Sequence, residues 1–116
     1  MVEQLLAPLN WIIGIVDKLL IEENFNDLQR KFLFNISTGA HNLRSLLLTA
    51  PVVSLKKSRE IMSYDGRSYL SAIIEHTEEL LDEVEGELTD EQRDLLFEVR
   101  SSAMQLLSGL ESSIEE

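Results

Sequence analysis

Two histidines are the side chains in this chain of 116 residues best suited to covalent chemistry. An imidazole nitrogen can carry phosphate as a high-energy phosphoramidate and pass it to an aspartate. His41 lies in Thr38-Gly39-Ala40-His41-Asn42-Leu43 and His76 in Ile74-Glu75-His76-Thr77-Glu78. Tyr64 is a third candidate, but its phenol stays neutral near pH 7 and lacks the nucleophilic nitrogen. Asp65 beside it could accept a proton or a hydrogen bond, yet the sequence has no glycine-rich nucleotide lid to supply ATP. Carboxylates are plentiful, but no Glu-x-x-His pair recurs as the di-metal sites of helical bundles require. With no cysteine, disulfides and thiolate metal sites are excluded. Glu75, Glu78, Glu79, Asp82 and Glu83 therefore read as a solvated face. The expectation is a chain with no metal, no cofactor and no catalytic residue.

The elements that must position these residues are helical. No segment shows sustained period-two alternation, so no sheet is expected. Leu5, Leu9, Ile12, Val16 and Leu19 fall on one face of a helix over residues 2–22, and Leu6, Ile13 and Leu20 widen the stripe. Pro8 lies inside this pattern and is expected to kink it or to mark where the regular helix begins. Asn26 with Gln29 resembles a capping box opening a second helix, which carries Phe32, Ile36, Ala40, Leu43 and Leu47 and ends before Pro51. A third helix is predicted from about residue 58 to 84, with Met62, Tyr69, Ile73, Leu80 and Val84 on its buried face. Thr89 and Gln92 make a second capping box. The helix they open buries Leu96, Val99, Ala103, Leu106 and Leu110 and frays from residue 112.

The two halves repeat each other. Leu9, Ile12, Ile13, Leu19 and Leu20 match Leu70, Ile73, Ile74, Leu80 and Leu81 at an offset of 61. After a change of two residues in the turn, Gln29-Arg30, Phe34, Ile36, Ala40, Leu43 and Leu47 match Gln92-Arg93, Phe97, Val99, Ala103, Leu106 and Leu110 at an offset of 63. The organisation read from this is one domain over residues 1–116, with hairpin repeats at 1–50 and 58–116 and a link at 51–57. It is an all-α fold, an antiparallel up-down-up-down four-helix bundle.

Both halves carry the marks of one family. Ser63-Tyr64-Asp65-Gly66-Arg67-Ser68-Tyr69-Leu70-Ser71-Ala72-Ile73-Ile74 resembles the phosphoacceptor run of the dimerisation and phosphotransfer domain of sensor histidine kinases, Ser-His-Asp/Glu-Leu-Arg-Thr-Pro-Leu-Asn-Ala-Ile-Ile. Asp65, Arg67, Ser68, Leu70, Ala72, Ile73 and Ile74 fit that run, but Tyr64 holds the histidine position and Tyr69 the proline position. In the first half, Ala7-Pro8-Leu9-Asn10-Trp11-Ile12-Ile13-Gly14 is similar to the family's Thr-Pro-Leu-Asn-Ala-Ile-Ile-Gly, which puts Glu3 at the phosphoacceptor position. Residues 86–93 are similar to the turn and second-helix start common in these kinases. Neither His41 nor His76 is followed by the Asp/Glu-x-x-Thr/Asn arrangement of the family's phosphoacceptors. His41 aligns where a non-catalytic histidine is common.

What the resemblance implies is a pair of hairpins that packs as two kinase subunits do, a pseudo-dimer in one chain; a homodimer is the alternative. It implies docking of a response-regulator receiver domain, or of a kinase, through Asp65, Arg67, Ser68, Leu70, Ser71 and Ile74, or through Pro8, Asn10, Trp11 and Gly14 in the first half. A phosphotransferase working through His76 or His41 is a second possibility. Charge suggests a third. The net charge of −11 disfavours nucleic acid and anionic lipid as direct partners. It is also uneven: residues 1–51 hold four basic and five acidic side chains, and residues 52–116 hold six and sixteen. That surface would suit a basic partner, such as a DNA-binding regulator held by an acidic mimic. Residues 11–16 are apolar, but Asp17 and Lys18 interrupt them, so neither a signal peptide nor a membrane span is expected and the cytoplasm is the default.

Overall fold

A computed structural model describes residues 2–49, 65–84 and 86–115, with side chains at 2–5, 49 and 110–115 left aside. Four helices make up the described fold, and no strand occurs among these residues: α1 (Val2–Leu20), α2 (Asp27–Thr49), α3 (Arg67–Leu81) and α4 (Asp90–Glu115). No helix among them is long and apolar enough to cross a membrane. Around the core, α1 packs against α2 and α4, and α3 against the same two helices. Each half therefore touches the other through both of its helices.

The core follows the stripes in the sequence. Leu9, Ile12, Val16 and Leu19 of α1 are fully buried, with Ile36, Ala40, Leu43 and Leu47 of α2. Leu70, Ile73 and Leu80 of α3 and Leu96, Val99, Ala103 and Leu106 of α4 complete it. Burying each leucine or isoleucine contributes about 1.5–3 kcal/mol, so these side chains supply most of the drive to fold. Phe25 and Leu88, one in each interhelical turn, close the core at one end.

Burial repeats with the sequence. Leu9, Ile12 and Leu19 share their burial with Leu70, Ile73 and Leu80 at the offset of 61, and Phe25, Gln29, Leu33 and Ile36 share theirs with Leu88, Gln92, Leu96 and Val99 at 63. Val16 pairs with Thr77, a polar residue in a fully apolar place. Its hydroxyl donates to the Ile73 carbonyl at 2.6 Å, so the buried group is satisfied inside its own helix.

Several expectations are corrected. The buried residue near the start of α2 is Leu33, at 0% exposure, while Phe32 is half-buried on the flank beside α3, its ring 5.1 Å from that of His76. Val84 is not buried but 79% exposed, because α3 ends at Leu81. Asp82 caps α3, and Glu83 adopts a left-handed φ of 59° with its N–H bonded to the Leu80 carbonyl, which turns the chain off the helix axis before Val84. α1 stops at Leu20 and is helical on both sides of Pro8, which does not mark its start. α4 continues to Glu115 rather than fraying at residue 112. Tyr64, Met62 and the link at 51–57 lie outside the described residues, as does the expected start of the third helix at 58.

The core assignment is checked by truncation. Leu33→Ala should cost about 2–5 kcal/mol in urea unfolding, and Leu96→Ala about the same at the equivalent place. Phe34→Ala, one residue along on the exposed side, should change stability by no more than about 0.5 kcal/mol.

Candidate interaction surface

The two interhelical turns meet at one end, and the capping boxes hold them there. In the first turn, the Gln29 backbone N–H donates to Asn26 Oδ1 at 2.8 Å, and the Asn26 N–H donates back to Gln29 Oε1 at 3.0 Å. In the second, the Gln92 N–H donates to Thr89 Oγ1 at 3.1 Å, and the Thr89 N–H to Gln92 Oε1 at 2.9 Å. Each glutamine has an amide Nε2 left over, and each spends it on the opposite turn. Gln29 Nε2 donates to the Glu87 carbonyl at 3.3 Å. Gln92 Nε2 donates to Glu22 Oε2 at 2.7 Å and to Asn24 Oδ1 at 3.0 Å. Both glutamines are only 2% exposed, which makes these bonds costly to lose.

The arginine after each glutamine holds the turn before it. Arg30 donates to the carbonyls of Leu20, Glu22 and Phe25, satisfying acceptors that the end of α1 leaves open. Arg93 pairs instead with the carboxylate of Glu83 and lies 3.7 Å from Asp90. That ion pair holds the Glu83 carboxyl below its usual range, helped by the Leu88 N–H that donates to it, and it raises the Arg93 guanidinium in turn. Gly86 fits under this contact because a Cβ there would lie 2.7 Å from Asn26 Nδ2 and 2.8 Å from Gln29 Nε2.

Away from this end, the expected partner-binding residues divide. Asn10, Trp11 and Gly14 are exposed on α1, and Pro8 is half-buried. Asp65, Arg67, Ser68 and Ser71 are exposed, while Ile74 is half-buried against the core. Leu70 is corrected: at 0% exposure it belongs to the core, and no partner reaches it without parting α3 from its neighbours. Glu3 lies on α1, but its side chain is outside the description.

Of the histidines, His41 is exposed, and His76 is half-buried with its Nδ1 buried and unpaired among the described residues. Among the described residues no cluster of carboxylates and histidines is placed to hold a metal ion.

Two exposed phenylalanines were not among the expected site residues. Phe34 on α2 and Phe97 on α4 occupy equivalent places in the two repeats and are 64% and 47% exposed. Their signal was present as a matched pair of large apolar residues off the buried stripe. Beside Phe97, Arg100 donates from Nε to Glu78 Oε1 at 3.1 Å and joins α4 to α3. In the first half Ser37 and Asp17 stand at those positions. Comparison with protein-family models, curated proteins and solved structures gives no significant match.

Two outcomes follow from the turn contacts. Gln92→Ala should cost about 1–2 kcal/mol in chemical denaturation, since it removes a cap and leaves the Thr89 N–H without its acceptor. Glu83 has a folded pKa below its unfolded value, so its contribution is complete above the unfolded value and fades as pH falls through the folded one. Glu83→Gln should therefore lower the melting temperature at pH 7, and the gap from wild type should shrink as pH drops below about 4.

Proposed function

We propose that this chain is a non-catalytic interaction module resembling the dimerisation and phosphotransfer domain of histidine kinases. Its helices form an antiparallel up-down-up-down bundle, and its two hairpins make a pseudo-dimer. It docks a response-regulator receiver domain or a kinase and works in the cytoplasm. The observation that carries this reading is the repeat in burial and capping between the halves, together with the packing order of the helices. The first helix of each hairpin packs on its own second helix and on the second helix of the other hairpin. Two kinase-like hairpins pack in that way when a pair completes one bundle.

The sequence supports a docking role over a catalytic one. Glu3 and Tyr64 stand where the phosphoacceptor histidines would be. The buried, unpaired Nδ1 of His76 and the ring packing with Phe32 suit a structural histidine. On this reading the docking surface uses the exposed members of the motif, Asn10, Trp11 and Gly14 in one half and Arg67, Ser68 and Ser71 in the other. Leu70 holds the helix beneath them.

The test is direct. Receiver domains from the source cell, titrated calorimetrically into the full chain, should include at least one that binds. Trp11→Ala or Arg67→Ala should weaken that complex by about tenfold where the residue is central to the contact. Incubation with phosphorylated receiver should leave no acid-labile label on the chain. Absence of binding by every receiver and kinase tested, or label on His41 or His76, sinks this reading.

A further inference from the structure

The two phenylalanine faces have the same framework and different electrostatic settings. On α4, Phe97, Arg100 and Met104 follow one another at helical spacing, and Met104 is 42% exposed. On α3, Ser71, Ile74 and Glu78 do the same. The Arg100–Glu78 bond at 3.1 Å joins these rows into one surface, with apolar side chains on both sides of it. Glu75, Asp82 and Asp94 are exposed on the outward side of these two helices. The positive charges that could balance them are already engaged: Arg93 by Glu83 and Asp90, and Arg100 by Glu78. The further cation among the described residues of this hairpin is Arg67, at the far end of α3, and it too has an interaction.

The equivalent face of the first hairpin has Phe34, Ser37 and His41 on α2 and Asn10, Ile13 and Asp17 on α1. Its rows carry one carboxylate, as do those of the second face, but Gly14, Ile21 and Lys31 stand where the second half has Glu75, Asp82 and Asp94, and Arg44 follows on α2. An apolar anchor is thus present on both faces, and among the described residues a negative rim on one.

We infer that the α3–α4 face around Phe97 and Met104 binds a basic amphipathic helix of a partner protein, and that the α1–α2 face around Phe34 does not. The inference rests on the reading of the hairpin faces as docking surfaces and selects one of them. An amphipathic helix lays its apolar stripe in a groove between two helices, and here Phe97, Met104 and the edge of Ile74 receive it. Lysines and arginines beside that stripe meet the carboxylate rim, which steers the approach and excludes acidic partners. Phe97 is the large aromatic of this surface, the kind of side chain that contributes most once desolvated.

The experiment uses the full isotope-labelled chain and, as probe, a helical peptide of leucine and lysine about eighteen residues long, long enough to cover several turns of the groove. Its glutamate counterpart serves as the control. The lysine peptide should shift the Met104 methyl and the Ile74 and Phe97 resonances, leaving those of Phe34 and Ile13 in place. Phe97→Ala should weaken binding about tenfold, Phe34→Ala should leave it unchanged, and raising salt from about 0.05 to 0.3 M should weaken it further. Both phenylalanines are exposed, so thermal unfolding should show each variant folded.

Binding that survives Phe97→Ala, that shifts both faces equally, or that the glutamate peptide shares overturns the inference. A receiver domain that fails to bind while the lysine peptide seats on Phe97 removes the receiver reading and supports this one. If a receiver binds while the lysine peptide does not, the basic-partner inference falls alone.

Discussion

Two buried glutamine amides hold the closed end of this molecule together, and the register of both hairpins depends on them. An amide has one acceptor oxygen and two donor hydrogens, and these two side chains are almost wholly shielded from solvent. Each glutamine's oxygen accepts from the backbone N–H of the cap residue before its own helix, and its nitrogen donates to the other turn. A slip of one residue in either helix would take these buried amides out of reach of their partners. The hydrophobic core tolerates small sliding because leucine contacts are non-directional; the amides do not. They fix where along the long axis the halves meet, and so which surface residues of α3 stand beside which of α4.

The arginines that follow show how one position serves two solutions. Arg30 caps three backbone carbonyls, whereas Arg93 captures a carboxylate. The second turn needs a side-chain partner because Glu83 is in the left-handed region, where a residue with a Cβ is strained. Glycine would suit that backbone better, but it would leave Arg93 without its anion and the Leu88 N–H without its acceptor. The conformational strain is offset by the ion pair it makes possible.

Much of this arrangement was legible in the sequence because its rules are local. Asn26 with Gln29 and Thr89 with Gln92 are three residues apart, and the chain itself brings them together. The buried stripes of α1 and α4 follow from period alone. The choice between Phe32 and Leu33 does not, since both lie within the apolar arc, and the neighbouring helix decides. The repeat held the answer, because Leu96 pairs with Leu33 at the offset of 63. Val84 was misread because the helical pattern runs past a left-handed residue that no periodicity detects. The bonds from Gln29 and Gln92 to the opposite turns span 58 to 70 positions, so only the packed structure displays them. Of the partner-binding positions named from the motif around Tyr64, Asp65, Arg67, Ser68 and Ser71 are exposed, Ile74 is half-buried, and Leu70 has a core place.

Because both hairpins belong to one polypeptide, the packing of α1 on α4 and of α2 on α3 is intramolecular. Association between the halves is then governed by an effective concentration set by the chain and not by how much protein is present, so dilution does not separate them. Nor can one half be exchanged for the half of another molecule without opening the whole core. Each half is also free to change alone, which two copies of one gene product are not. Val16 and Thr77, or Ser37 and Arg100, already differ at matched places. The two halves therefore present different side chains to solvent at matched places.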